Sequence, residues 1–300
     1  MNDTASNRQI SFSYNRFADL FYYLLAHMPI NCAADVSDQA YTAEMAGELG
    51  IFPGIPPKLI DYYGEHFDRL MIADFIPLTV KNTQQFREAL VSSGMLTEED
   101  MALFADPVIG ICERVSERFY GWWTQHHEAV APWAEKVYAR FQALADRFRC
   151  FFAALQTKTE VLFSYSLRKN GRAFTSPDGL TVYLTFPEKD GDLMDCFLQY
   201  LHECTHSVTD PMLNREIRMA DGSHEISEYQ VLCFDEYLVE TACPELTGAY
   251  RGWIGQEYLS RAHEKLGEAG EARLRERLAQ MLPEAAGTDD KTREESAEAD

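Results

Sequence analysis

No apolar run of about 18 residues, the length a helix needs to cross a bilayer, occurs anywhere in the chain, so no membrane span is expected. The first residues, Met1-Asn2-Asp3-Thr4, carry no basic patch leading into an apolar segment, and a signal peptide is not expected either. Positive charge is scarce. Against 48 Asp and Glu stand 27 Lys and Arg, a net charge of −21. That balance argues against nucleic acid, whose phosphates need a basic surface, and against anionic membrane surfaces. Cysteine is sparse, scattered and odd in number (7), with no C-x-x-C pair. Such usage suits free buried thiols in a reducing cytoplasm rather than a disulfide framework. Internal repeats, a phosphate-binding glycine loop and a dinucleotide fingerprint are all missing.

What is present is a globular composition, 46% apolar, in a chain of 300 residues that can bury a sizeable core. Apolar residues at helical spacing predict helices over 12–28, 58–70, 83–91, 97–104, 112–127 and 132–155. Two further helices are expected at 258–266 and 271–282. Val161 to Ser166 and Leu180 to Phe186 are rich in β-branched and aromatic residues. Asn170-Gly171 and Asp178-Gly179 between them read as hairpin turns, which predicts a small antiparallel meander. The fold class expected is therefore α+β, mainly helical, with a small antiparallel sheet. A helical region over 1–155, a catalytic region over 156–283 and an acidic, disordered tail over 284–300 divide the chain. His126-His127 is not a metal pair, because adjacent residues diverge on a helix; a surface position is expected.

The chemistry is concentrated in His202-Glu203-Cys204-Thr205-His206, an H-E-x-x-H sequence. Gly191-Asp192 precedes it as a break, Leu193, Phe197, Leu198, Leu201 and Val208 give an apolar face, and Asp210-Pro211 ends it. On that helix two histidines four apart stand one above the other, so both imidazoles can grip one metal ion. Glu203, about 100° further round the axis, lies beside that ion as a general base. Cys204 reads as a small apolar spacer facing the core.

A zinc site with an open position needs a third protein ligand. A further histidine six residues on is excluded, since Thr209 and Met212 occupy the relevant positions. A carboxylate on a second helix is the other solution. Ser227 and Gln230 form a capping box for a helix that runs to Pro244 and carries Asp235, Glu236 and Glu240. Glu236 and Glu240 share one face, so one can bind metal while the other meets a ligand histidine. His224, after Asp221-Gly222-Ser223, rivals Glu236 as third ligand.

His202-Glu203-x-x-His206 followed by Glu236-x-x-x-Glu240 resembles the gluzincin group of zinc metallopeptidases, and His202 to Pro211 with Glu236 to Val239 and Asn15-Arg16 is similar to the bacterial DUF4932-type predicted metallopeptidases. The resemblance implies Zn2+ held by His202, His206 and Glu236, with Glu203 as catalytic base and Glu240 as the supporting acid. It also implies that the 180–186 strand lines a cleft where an extended peptide adds as another strand. The expected function is hydrolysis of peptide bonds in a peptide or protein substrate, in the cytoplasm. His224 and Tyr250 are both available to stabilise an oxyanion. Two alternatives stay open: a zinc hydrolase of a non-peptide amide, and a binding protein with a structural zinc site.

Overall fold

The computed structural model describes residues 10–28, 39–50, 53–155, 159–167, 171–176, 179–218 and 222–282. The expected acidic tail and parts of both expected turns lie outside these residues. Helix predominates and the sheet is small, as the α+β expectation requires. Contacts divide the chain into two compact units, Met1–Ala143 with Lys158–Cys204 and Leu144–Thr157 with Thr205–Asp300. No helix among the described residues is long and apolar enough to cross a membrane.

The first unit begins with strand β1 (Ser11–Tyr14) and helix α1 (Arg16–Ala26). Asn15 starts α1: its side-chain oxygen accepts from the Phe17 and Ala18 amides at 3.1 and 3.3 Å, the expected role of an N-cap. Its amide group donates to the carbonyls of Pro77 and Val80 at 2.9 and 2.8 Å, which ties the helix start to a distant loop. Every residue from Phe17 to Leu25 is buried, so α1 is a core helix surrounded on all sides. Around it lie α2 (Gln39–Leu49), α3 (Pro57–Glu65), α4 (Thr83–Ser93) and the long α5 (Asp106–Arg147). The sequence pattern did not give α2, whose apolar spacing is irregular. It also divided α5 before Pro132, whereas the helix runs through that proline. Proline removes one backbone bond, to the Glu128 carbonyl, and both residues are exposed where water can satisfy it.

Strands β2 (Thr159–Ser164), β3 (Arg172–Ser176) and β4 (Gly179–Thr185) complete this unit, in the sheet order β1-β2-β4-β3. The expected antiparallel meander is corrected here. Only β3 and β4 are antiparallel; β1–β2 and β2–β4 are parallel. Consecutive buried residues Val161, Leu162 and Phe163 explain the difference, because a strand covered on both faces reads as a continuous apolar run, the mark of a parallel pairing. The turn signals were local and said nothing about which strand would lie beside β2. Strand β4 is consequently interior, paired on both sides, and β1 and β3 are the edges.

A buried carboxyl joins these elements. Asp19 of α1 is fully buried and accepts from the Ser164 hydroxyl, the Tyr165 amide at 3.1 Å, the Tyr183 hydroxyl at 2.5 Å and the Trp123 indole at 2.6 Å. Burial raises its pKa, and these donors oppose the shift. His126 and His127 are not surface residues: they are half-buried, stacked on Trp122 and Trp123 one turn earlier, and His127 Nδ1 meets the Tyr165 hydroxyl at 2.8 Å.

The second unit consists of α6 (Arg149–Leu155), the C-terminal part of α7 (Leu193–Thr209), then α8 (Ser223–Ala242), α9 (Thr247–Ile254) and α10 (Gln256–Met281). Tyr229 to Val239 of α8 are buried without interruption, so this helix is the unit's axis. Helix α10 breaks at Gly267, whose φ of 66° is the left-handed conformation that glycine adopts without a steric penalty.

Asp74 supplies a pH test of this fold. It is buried, accepts from the Tyr63 hydroxyl at 2.6 Å, and its pKa is pushed up to about 7, by burial first, with Tyr63 and Arg172 opposing. A raised carboxyl pKa favours the protonated folded form, so its stabilisation is complete below about 4 and is lost as pH rises through about 7. Asp74→Asn should therefore gain, relative to the parent, about 3 kcal/mol of unfolding free energy between pH 4.5 and 7.5. Urea denaturation at both pH values checks this; parallel profiles for parent and variant would refute it.

Candidate metal centre

Helix α7 is unbroken from Leu193 to Thr209, and its apolar face, Leu193, Phe197, Leu198 and Leu201, is buried as expected. A short 3-10 turn at Asp210–Met212 follows, where Pro211 stops the α-helical pattern. His202 and Glu203 are buried, at 6% and 4% exposure, and Cys204 is a buried free thiol. His206 is less covered, with 19% of its side chain exposed. The predicted helix therefore holds both histidines on one face, with His202 buried and His206 partly exposed.

The third residue of a group that could hold a metal ion is Glu228 of α8. One ligand atom each from His202, His206 and Glu228 lie within 4.8 Å of one another, the one such three-residue group among the described residues. His206 Nε2 is 3.9 Å from the Glu228 carboxylate. The opposite ring nitrogen, Nδ1, meets Asp210 at 3.1 Å, and Asp210 also accepts from the Ser227 hydroxyl at 3.0 Å. A carboxylate on Nδ1 holds the proton there and leaves Nε2 as a lone-pair donor, the arrangement that suits a histidine ligand. Two imidazoles and a carboxylate are a donor set that fits a zinc ion with an open position.

Glu236, the expected third ligand, is not brought to the histidines. Its carboxylate accepts from Arg251 Nε at 2.7 Å and faces His263 Nε2 at 2.6 Å. Glu240, the expected supporting acid, pairs with the same Arg251 instead of a ligand histidine. Asp210 takes the place assigned to it. His263 meets Glu271 at 3.0 Å through its other nitrogen; burial works to raise the Glu271 pKa, but the hydrogen bonds from His263 and Tyr237 carry it below its usual value. Glu236 and Glu240 thus belong to an ion network that joins α8, α9 and α10. The α8 axis rises about 1.5 Å per residue, so Glu236 lies roughly 12 Å beyond Glu228 and only one of the two reaches the α7 histidines.

The two oxyanion candidates are also placed. His224 is exposed, one turn before Glu228 on the same face of α8, and stands outside the three-donor group. Tyr250 is fully buried and its hydroxyl donates to Asp235 at 3.0 Å. Burial and the nearby Asp235 hold that phenol well above its ordinary pKa, so it is a neutral donor committed to a structural partner.

Glu203 has its own surroundings. Its side chain packs directly against Gly171, the residue that leads into β3: a Cβ placed there would lie 2.8 Å from Glu203 Oε1. The edge strand next to Glu203 is therefore β3, and the expected role of the 180–186 strand is corrected, since β4 is paired on both sides.

Two of these residues carried signals that sequence reasoning passed over. Asp210 is four residues after His206, the spacing that puts it one turn below on the same face, but it was read only as a helix stop. Glu228 was missed because Ser227 was read as the N-cap. The helix begins a turn earlier, after Gly222 at φ 77°, which brings residue 228 well inside it. No protein-family model matches the chain, and no curated protein or solved structure matches it.

Replacing Glu228 by Ala or His206 by Ala should abolish stoichiometric zinc binding, measured by elemental analysis after dialysis. Glu236→Ala should keep its zinc yet lose about 2 kcal/mol of stability, because Arg251 and His263 lose a common acceptor. Zinc lost with Glu236 and kept without Glu228 would overturn the assignment.

Proposed function

We propose that this chain is a zinc-dependent peptidase of the gluzincin kind, with His202, His206 and Glu228 holding the metal and Glu203 as general base. The observation that carries the reading is the convergence of three donor atoms within 4.8 Å, two of them from the helix that also bears Glu203 and the third from α8. When bound, zinc supplies Lewis acidity to a scissile carbonyl and lowers the pKa of water at the site.

The remaining work falls to side chains of the chain itself. The Glu203 carboxylate takes the proton from the attacking water and returns it to the leaving amine nitrogen, so it ends each cycle ionised again. Asp210 keeps the His206 proton on Nδ1. Burial of His202 and Glu203 keeps bulk water from screening the charges that change during hydrolysis. An extended peptide adds to the outer edge of β3, and main-chain pairing there brings a scissile bond past Gly171 towards Glu203. Recognition through backbone groups implies a substrate in unfolded or extended form with modest dependence on side-chain sequence.

Glu203→Gln should retain one equivalent of zinc and lose peptide hydrolysis by a factor of about 1,000 or more, assayed by mass spectrometry on a mixed peptide library. Undiminished cleavage by that variant would remove Glu203 as base. Zinc binding in the parent with cleavage confined to non-peptide amides would reassign the substrate while leaving the centre in place.

A further inference from the structure

Gly171 is not a glycine for reasons of backbone conformation, since its φ lies outside the left-handed region. The reason is space. A Cβ built on it would lie 2.8 Å from Glu203 Oε1, 2.9 Å from Glu203 Cγ and 3.0 Å from the Tyr183 carbonyl oxygen, all closer than side-chain carbons ordinarily approach. Neither of the backbone walls of this space can give. The following residue, Arg172, is registered opposite Tyr183 in the β3–β4 ladder, and the Arg172 guanidinium donates to the Gly171 carbonyl at 2.8 Å. Tyr183 sits on the interior strand β4, and its hydroxyl is anchored on the buried Asp19 at 2.5 Å. The Glu203 side chain is the one movable partner.

We infer that Gly171 is a positioning residue for Glu203, an inference that rests on the reading of Glu203 as general base. Its missing side chain is the seat into which the Glu203 side chain closes, and a strand pinned at both Arg172 and Tyr183 makes that seat rigid. A long acid with three rotatable bonds is thereby held by shape instead of by a hydrogen-bond partner alone. The smallest addition, one methyl group, has to be absorbed by rotation of Glu203, which displaces the carboxylate; none of the three donor residues is among the atoms it would meet. Misplacement of a reacting group by about 1 Å costs on the order of 100-fold in rate.

The test uses Gly171→Ala in the full chain. Zinc content should stay at one equivalent and KM should change by less than about twofold, while kcat falls by about 10- to 100-fold and the acidic limb of the kcat–pH profile moves. Full kcat at unchanged zinc content would overturn the inference. A thermal double-mutant cycle reads the same contact without any assay: Gly171→Ala should lower Tm in the parent, and should lower it by less than half as much in a Glu203→Ala background. An equal loss in both backgrounds would also overturn it. Should Gly171→Ala alone fail to fold, recovery of a folded protein on adding Glu203→Ala would support the seat, and failure of both would overturn it. A parent protein with no zinc-dependent hydrolysis would sink the peptidase reading, and the thermal cycle would still decide the seat.

Discussion

The first unit depends on one buried carboxyl. Asp19 is fully covered, and four donors from three other elements converge on it: an indole from α5, a hydroxyl from the last residue of β2, the amide that follows it, and a phenol from β4. Removing a carboxyl from water carries a large free-energy cost unless its acceptors are filled, so the arrangement is stable only when all four groups are in place together. It acts as a condition on the fold more than as a source of stability. An alternative strand order would leave Tyr183 or Ser164 out of reach and an acid buried without partners. A parallel β2–β4 pairing satisfies it, because Leu162 and Tyr183 lie opposite each other and bring the ends of both strands to the same helix.

The consequence reaches the candidate site. Tyr183 is fixed by its hydroxyl, so its carbonyl is fixed; Gly171 packs on that carbonyl, and Glu203 packs on Gly171. A base on a flexible side chain is thus placed by a succession of rigid contacts that starts in the core. In the second unit the corresponding order comes from α8. Its uninterrupted burial from Tyr229 to Val239 fixes its rotation about its own axis, and that rotation decides which acids face which neighbours. Glu228 faces His206, while two turns later Glu236 faces Arg251 and His263.

Much of this was legible in the sequence where the signal was local. The H-E-x-x-H helix, its buried face and its end before Pro211 come from spacing and breakers, which depend on a few neighbouring residues; the first helix, expected from residue 12, starts only at Arg16, because Ser11–Tyr14 pairs into the sheet. What failed was set by tertiary packing. Strand order is invisible to turn residues: Asn170-Gly171 and Asp178-Gly179 mark reversals but not the neighbour each strand finds. The same glycine, read as half of a turn, has its main consequence in a contact with Glu203 some thirty positions away. The expectation of Glu236 rests on a resemblance in spacing in which Glu228 has no part, and the Ser227–Gln230 pattern places the start of α8 one turn late; Gln230 is in fact buried and Ser227 donates to Asp210.

That exchange of roles follows a rule that applies to acidic chains generally. With a net charge of −21, most carboxylates on any helix are unremarkable, and spacing alone cannot separate a ligand from a solvated or paired acid. Internal cations can. Glu236 and Glu240 already have Arg251 between them, and His263 Nε2 lies 2.6 Å from Glu236, so both acids are engaged within the chain. Glu228 instead approaches His206 Nε2 at 3.9 Å, while Nδ1 of the same ring meets Asp210 at 3.1 Å. Two carboxylates about one imidazole are stable when a cation, a proton or a metal ion, is shared among them. The partners already held by each acid therefore discriminate among the acids of α8 where sequence distance could not.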